Sequence, residues 1–242
     1  MPARRRAACA KATSRQEGLA ALPFEDVPHW ARSGLASTPI LPKTVRVKKF
    51  IALVVLVAAG WWYFHQTPAT WRGMPAAKDP VQLSTKLPAR FVHKGYTILP
   101  LAHYQVTAVV LSRERYRNDR NAELCPLDLA LGWGPMSIAK VINDLSISQS
   151  GRWYEYSFRG EPPLEPGDIT IHSANTHCLP ADDIIRSKLM AVKRHEIVSL
   201  EGYLVEATAE DGWHWRSSLS RTDTGGGACE VLWVTAVSTR KP

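Results

Sequence analysis

From Phe50 to Phe64 the chain runs fifteen residues without a charge, and Lys43, Arg46, Lys48 and Lys49 stand just before the run. An apolar helix needs about 20 residues to cross a bilayer, with about 17 near the lower limit. Fifteen suffice if His65 and Gln66 lie among the headgroups and the lysines snorkel at the other end. Trp61, Trp62 and Tyr63 have apolar bodies and polar tips, which suits the membrane boundary. The run therefore reads as a transmembrane signal anchor over residues 50–66. Its basic flank sets the N-terminus in the cytoplasm and the rest outside. Two other readings stay open: a buried core helix, and a cleavable signal peptide with its small residues at Val57, Ala58 and Ala59. Retention is favoured by the bulk of Trp61 and Trp62.

Beyond the run, Pro68, Pro75, Pro80 and Pro88 interrupt small and polar residues, which predicts a Pro-rich spacer over 67–88. The domain proper is expected over 89–242, a length that suits one core. Tyr96–Leu99 and Val106–Leu111 are rich in strand formers, and so is the alternating run Trp153–Phe158. Ser137–Leu145 has helical spacing, with Ile138, Val141, Ile142 and Leu145 on one face. Ile169–Ile171 is expected as a short strand leading into a loop from His172 to Pro180. A helix then opens at Ala181–Asp183 and runs to about Met190, with an acid at its positive end. Glu196–Glu206 alternates around Gly202, as at a bulge or a barrel corner. Asp211-Gly212 signals a hairpin, and a last strand covers Cys229–Val234. The fold class is β-rich α+β, expected as a small antiparallel barrel, OB-like, with two short helices.

Charge changes the picture only upstream. Residues 1–49 hold ten of the thirty Lys and Arg residues and three of the twenty-two acids, so they carry +7 of the formal +8. The exported part is nearly neutral, and the basic balance gives no warrant for nucleic acid as its partner. The arm shows no sustained period, so it reads as a disordered cytoplasmic segment. Val45–Phe50 resembles the opening of an ordinary signal-anchor n-region, and a natural start at Val45 or Val47 is the alternative. Arg113–Glu123 interleaves both signs and reads as a solvated loop.

The chemistry on offer is sparse. No CxxC, HExxH, GxSxG, P-loop or dinucleotide fingerprint occurs, and no cofactor is implied. Three exported cysteines, Cys125, Cys178 and Cys229, allow three pairings with one thiol left over; Cys125–Cys229 is the favoured disulfide. His172, His177 and Cys178 could furnish metal ligands, although His-x4-His matches no strong zinc spacing. Trp133, between Gly132 and Gly134, could present an indole to a ligand or plug the core. In Trp213-His214-Trp215-Arg216 the tryptophans share one face, leaving His214 and Arg216 on the other, where Arg216 could meet an anion. A binding site from Trp133, Asn175, His177 and Arg216 is the working expectation.

The runs Gly132-Trp133-Gly134-Pro135-Met136, Ser173-Ala174-Asn175-Thr176-His177 and Trp213-His214-Trp215-Arg216-Ser217-Ser218 resemble those of a family of uncharacterised bacterial proteins with one N-terminal membrane segment. The resemblance spans about residues 95–235 and implies the architecture, with no activity to carry over. The residues together read as a single-pass inner-membrane protein whose periplasmic domain binds or assembles with a protein partner in the envelope. Two alternatives stand beside it. One is an envelope hydrolase or metal-dependent enzyme using the His172–Cys178 loop; the other is an OB-like binder of a polyanion or oligosaccharide.

Overall fold

The computed structural model describes residues 4–5, 43–64 and 68–242. They fall into two units, residues 68–242 with 4–5, and residues 43–64. Arg4–Arg5 is a two-residue strand (β1); the rest of the arm expected to be disordered, as far as residue 42, lies outside the described residues. In the second unit Lys43–Phe64 is a helix (α1). Phe50, Ile51 and Leu53 through Val57 on it are exposed. No helix among the described residues is long and apolar enough to cross a membrane, the described side chains of α1 covering only 47–60.

The first unit is β-rich. In chain order it holds Val81–Leu83 (β2), Phe91–His93 (β3), Tyr96–Arg115 (β4) and Leu127–Gly132 (β5). A 3-10 turn, Gly134–Ser137, leads to the helix Ala139–Asn143 (α2) and the hairpin Leu145–Ser150 (β6) and Trp153–Phe158 (β7). Then come Pro166–Ile171 (α3), Ser173–Pro180 (β8), Asp183–Ala191 (α4), Ile197–Thr208 (β9), His214–Arg216 (β10) and Glu230–Arg240 (β11). β4 pairs with β5, β5 with β8, β8 with β11, β11 with β9, and β9 again with β4. All of these pairs are antiparallel except β8 with β11. β1, β7 and β6 form a separate three-stranded sheet.

The alternation of side chains across the strands sorts the core. Leu127, Leu129 and Leu131 of β5, Ala174 and Cys178 of β8 and Leu232 and Val234 of β11 form one cluster, which Ile185, Leu189 and Val192 of the α4 region join. The opposite face of β4 and β5 packs Val109, Leu111 and Ala130 against Val141 and Ile142 of α2 and Tyr154 and Tyr156 of β7. Burial of these apolar surfaces, at roughly 25 cal/mol per Å², drives the assembly.

Several sequence expectations change. The two strands expected at Tyr96 and Val106 are one strand of 20 residues, irregular at Pro100/Ala102 and Val110/Ser112. Ile169–Ile171 is helical, because Pro166 sits in the first turn and Ile169 N–H reaches the Glu165 carbonyl at 3.1 Å; the fixed proline φ starts the helix against the strand preference of the isoleucines. The stretch from Ser173 to Pro180, expected as a loop, is a central strand. Asp182 caps α4 as anticipated, its Oδ1 accepting from Ile185 N–H at 2.7 Å. Three α-helices rather than two accompany the sheets of this unit.

The expected spacer is largely docked. Asn143 brackets the backbone of Ala69, accepting from its N–H at 3.1 Å and donating to its carbonyl at 3.0 Å. The Trp71 indole N–H donates to the Ser137 carbonyl at 2.9 Å. Gly134 N–H reaches the Ala76 carbonyl at 2.7 Å, and β2 pairs with β4. Proline kept the segment out of regular structure, and side chains supply the partners its backbone lacks.

Candidate functional sites

β8 explains the polar run at Ser173. Strand alternation sends Ser173, Asn175 and His177 to one face and Ala174, Thr176 and Cys178 to the other. The first face is roofed by the β6–β7 hairpin, whose tip carries Arg152 in the left-handed region at φ 71°. Asn175 ties the roof down: it donates to the Arg152 carbonyl at 3.0 Å and accepts from Gln149 Nε2 at 2.7 Å.

Beneath the roof lies a buried charge cluster. Asp128 sits opposite His177 in the β5–β8 register, with Oδ2 2.9 Å from His177 Nδ1. Arg152 Nη1 lies 2.9 Å from Asp128 Oδ1 and 3.2 Å from Cys125 Sγ. The same guanidinium pairs with Asp119 at 2.9 Å, stacks 3.5 Å from the Tyr116 ring centroid, and lies 5.6 Å from that of Trp215. Trp215 also covers the His177 ring, 4.5 Å away. Asp128 and His177 are 0 % and 1 % exposed. Burial pushes the Asp128 carboxyl up, but His177 and Arg152 outweigh it and hold it below the ordinary range. Burial first, and then the Asp128 charge beside it, drive the Cys125 thiol well up.

Cys125, Asp128 and His177 bring three ligand-type atoms within 4.8 Å of one another. The arrangement does not fit a metal centre. Arg152 already supplies the positive charge to two of the three groups, its Nη1 lying on the Cys125 sulfur and on Asp128 Oδ1 that an ion would need. Mutual satisfaction of the charges makes this cluster a structural pin between β5, β8 and the hairpin.

A second polar site lies where β8 and β11 begin. Trp133, Tyr154, Thr170, Ser173, Arg221 and Glu230 line a small cleft, which leaves about 20 Å³ for the centre of a bound group. That is room for about one water-sized moiety. Glu230 is 2 % exposed and is paired with Arg221 through Oε1, while its buried Oε2 has no hydrogen-bond partner among the described residues. Burial raises the Glu230 carboxyl to about 7, with Arg221 pulling the other way. Arg221 lies over the Tyr104 ring at 5.0 Å and donates to Gln82 of β2. It thereby fastens the loop before β11 to β2, β4 and β11.

The residues singled out from sequence are dispersed. Trp133 is 1 % exposed, packed in the cluster with Leu131 and Ala174, and it reaches the cleft. Asn175 and His177 belong to the buried pin. Arg216 lies outside on β10, where Glu206 neutralises it and also takes His214 at 2.8 Å. His172 ends α3 with Nδ1 2.8 Å from the Asp168 carbonyl, and its ring lies against Gly134. His177 faces the hairpin, and Cys178 faces the opposite cluster with its thiol toward the Thr176 carbonyl. The expected metal trio of His172, His177 and Cys178 is therefore not gathered.

The expected Cys125–Cys229 disulfide is corrected as well. Among the described residues no disulfide joins Cys125, Cys178 and Cys229, and all three are buried. β5 and β11 flank β8 on opposite sides, with Cys125 beyond the level of Cys178 and Cys229 before that of Thr176, so the two stand more than two strand spacings apart, over roughly 9.5 Å. That exceeds the roughly 7 Å Cα separation a disulfide tolerates.

Asp128, Arg152, Arg221 and Glu230 were missed from sequence. Asp128 is the one charge inside the apolar run Leu127–Gly132, and Glu230 opens another such run; those were usable signals. No family model, curated protein or solved structure matches the chain.

Proposed function

We propose that the chain is a binding protein anchored in the bacterial cytoplasmic membrane by α1, with an extracytoplasmic OB-type barrel that takes its ligand at the cleft between Trp133 and Glu230. The barrel reading is supported by the pairing circuit β4-β5-β8-β11-β9, which returns to β4 with its third and fifth strands parallel. The placement of α4 between the third and fourth strands agrees with it. The exposed apolar side chains of α1 and the basic residues before Phe50 support the anchor and its orientation.

The observation that carries the binding reading is Glu230: a buried carboxylate with an unsatisfied oxygen, lining a cleft at one end of the barrel. Such a group beside an aromatic wall is a recognition feature. Catalysis has no comparable support, since the buried thiols are driven up by burial and His177 is committed to Asp128. A polyanion surface on β10 lacks support because Glu206 cancels Arg216.

Two experiments test the reading. Reporters fused after Pro242 should be active only in their exported form; activity confined to the cytoplasmic form would overturn the anchor and orientation. A photo-crosslinking residue at Ser220, beside the cleft, should capture a ligand or partner in intact cells, whereas one at Ile184 on the exposed face of α4 should not. Capture at Ile184 alone would place binding elsewhere.

A further inference from the structure

The cleft has a chemical bias that narrows its ligand. Three of its hydroxyl hydrogens are already committed: Tyr154 donates to Ser173 Oγ at 3.4 Å, Ser173 to the Ile169 carbonyl at 2.6 Å, and Thr170 to the Pro166 carbonyl at 3.0 Å. Arg221, the cation of the lining, gives one N–H each to Glu230 Oε1 and Gln82 Oε1, which hold it against the wall of the cleft. The buried group of the lining that has no partner among the described residues is an acceptor, Glu230 Oε2. Asp223 adds a second carboxylate, which takes the Ser218 hydroxyl at 2.6 Å. Above about pH 7, where Glu230 is ionised, it and the Asp223 carboxylate set two negative charges against one positive charge.

A net-negative cleft with an unpartnered carboxylate oxygen and room for one water-sized group is complementary to a compact cation that only donates. A primary ammonium has three N–H donors and no acceptor, and its head is about the size of a water. We infer that the cleft binds a primary ammonium group, with Glu230 Oε2 as its main acceptor and the rest of the ligand outside. The inference rests on the binding reading above and names the ligand class of that same cleft. An amino group of a small molecule and a lysine side chain of a partner protein share this chemistry.

The test uses the full chain in nanodiscs at about pH 8, where the Glu230 carboxyl has lost its proton, labelled with 5-fluorotryptophan, and follows the Trp133 fluorine resonance. Methylammonium should shift it saturably, whereas tetramethylammonium, which has no N–H, and potassium should not. Glu230→Gln should weaken methylammonium binding about tenfold or more, the scale of a charge-assisted hydrogen bond. Asp223→Asn should weaken it less, and it guards against misfolding of the first variant. Adding acetyl-lysine methylamide separates the sources: a response equal to that of methylammonium admits a protein partner, and its absence restricts the cleft to small amines. A resonance that responds equally to tetramethylammonium or potassium, or not at all to methylammonium, overturns the inference. So does undiminished binding in both variants. Crosslinking at Ser220 with no methylammonium response leaves the binding face standing and removes only the ligand class.

Discussion

The carbonyl oxygen of Trp233 occupies the space where a side chain at Gly202 would begin: a Cβ there would lie 1.9 Å from that oxygen. The two residues belong to paired strands, and the register of β11 against β9 shifts just beyond, between Val234 and Ala236. The extra residue, Thr235, bends β11 toward Gly202, as a bulge does. The obstructing atom is backbone, so no rotamer change relieves it. Gly202→Ala should lower the unfolding free energy by about 3 kcal/mol or more. Gly167→Ala in α3 has nothing within 4 Å, and helix propensity predicts no loss or a gain of up to about 1 kcal/mol. Urea unfolding of both variants checks the contrast; equal effects would refute the close approach.

The buried pin makes a different demand. Asp128 is shared by His177 and Arg152, so removing its charge leaves a part-buried guanidinium with Asp119 as its one remaining carboxylate. Asp128→Asn should cost about 3 kcal/mol, the lower end of the penalty for breaking a buried pair from one side. Arg152→Met in the same chain should recover part of that loss, because the cation facing the neutral amide is gone. A double-mutant cycle that closes additively would show that the two groups are uncoupled.

Docking of residues 68–83 predicts local rather than global effects. Asn143→Ala deletes both bonds to Ala69, each worth about 1 kcal/mol. Hydrogen exchange at the Ala69 and Ala76 amides should quicken, while amides of β8 and β9 keep their protection. Unchanged exchange at Ala69 would mean that the bonds to Asn143 do not hold the strap.

The legible parts of the fold were those where one force acted. Alternation around Gly202, the Asp211-Gly212 turn and the Asp182 cap were readable because backbone geometry dictates each of them. β8 was not read as a strand because its alternation is polar on one face, and that face is buried only by a hairpin distant in sequence. The pairing of Asp128 with His177 depends on register between strands more than forty residues apart, which no local pattern encodes. Arg152 left no trace beyond Gly151 beside it, since its role comes from where the hairpin lands. His177 and Trp133 attracted notice for their chemistry, and packing assigned them to the core.

Glu230 gives the domain a pH response whose sign is fixed. Its carboxyl titrates at about 7 in the fold, against an ordinary 4.5. Between those values the native state binds the proton and the unfolded chain does not, so this group makes stability fall as pH rises from about 4.5 to 7, then level off. The full effect is on the order of 3 kcal/mol. His195 works in the opposite sense: burial lowers its imidazole to about 4, so its contribution is complete above 6.5 and fades as pH falls toward 4. The two slopes overlap, and the parent profile alone cannot separate them. Glu230→Gln isolates one of them, because the amide imitates the protonated acid and leaves His195 untouched. The variant should match the parent near pH 4.5 and gain on it steadily through pH 7, as read from urea midpoints at half-unit steps. A constant offset between the two profiles would show that Glu230 does not titrate in that window.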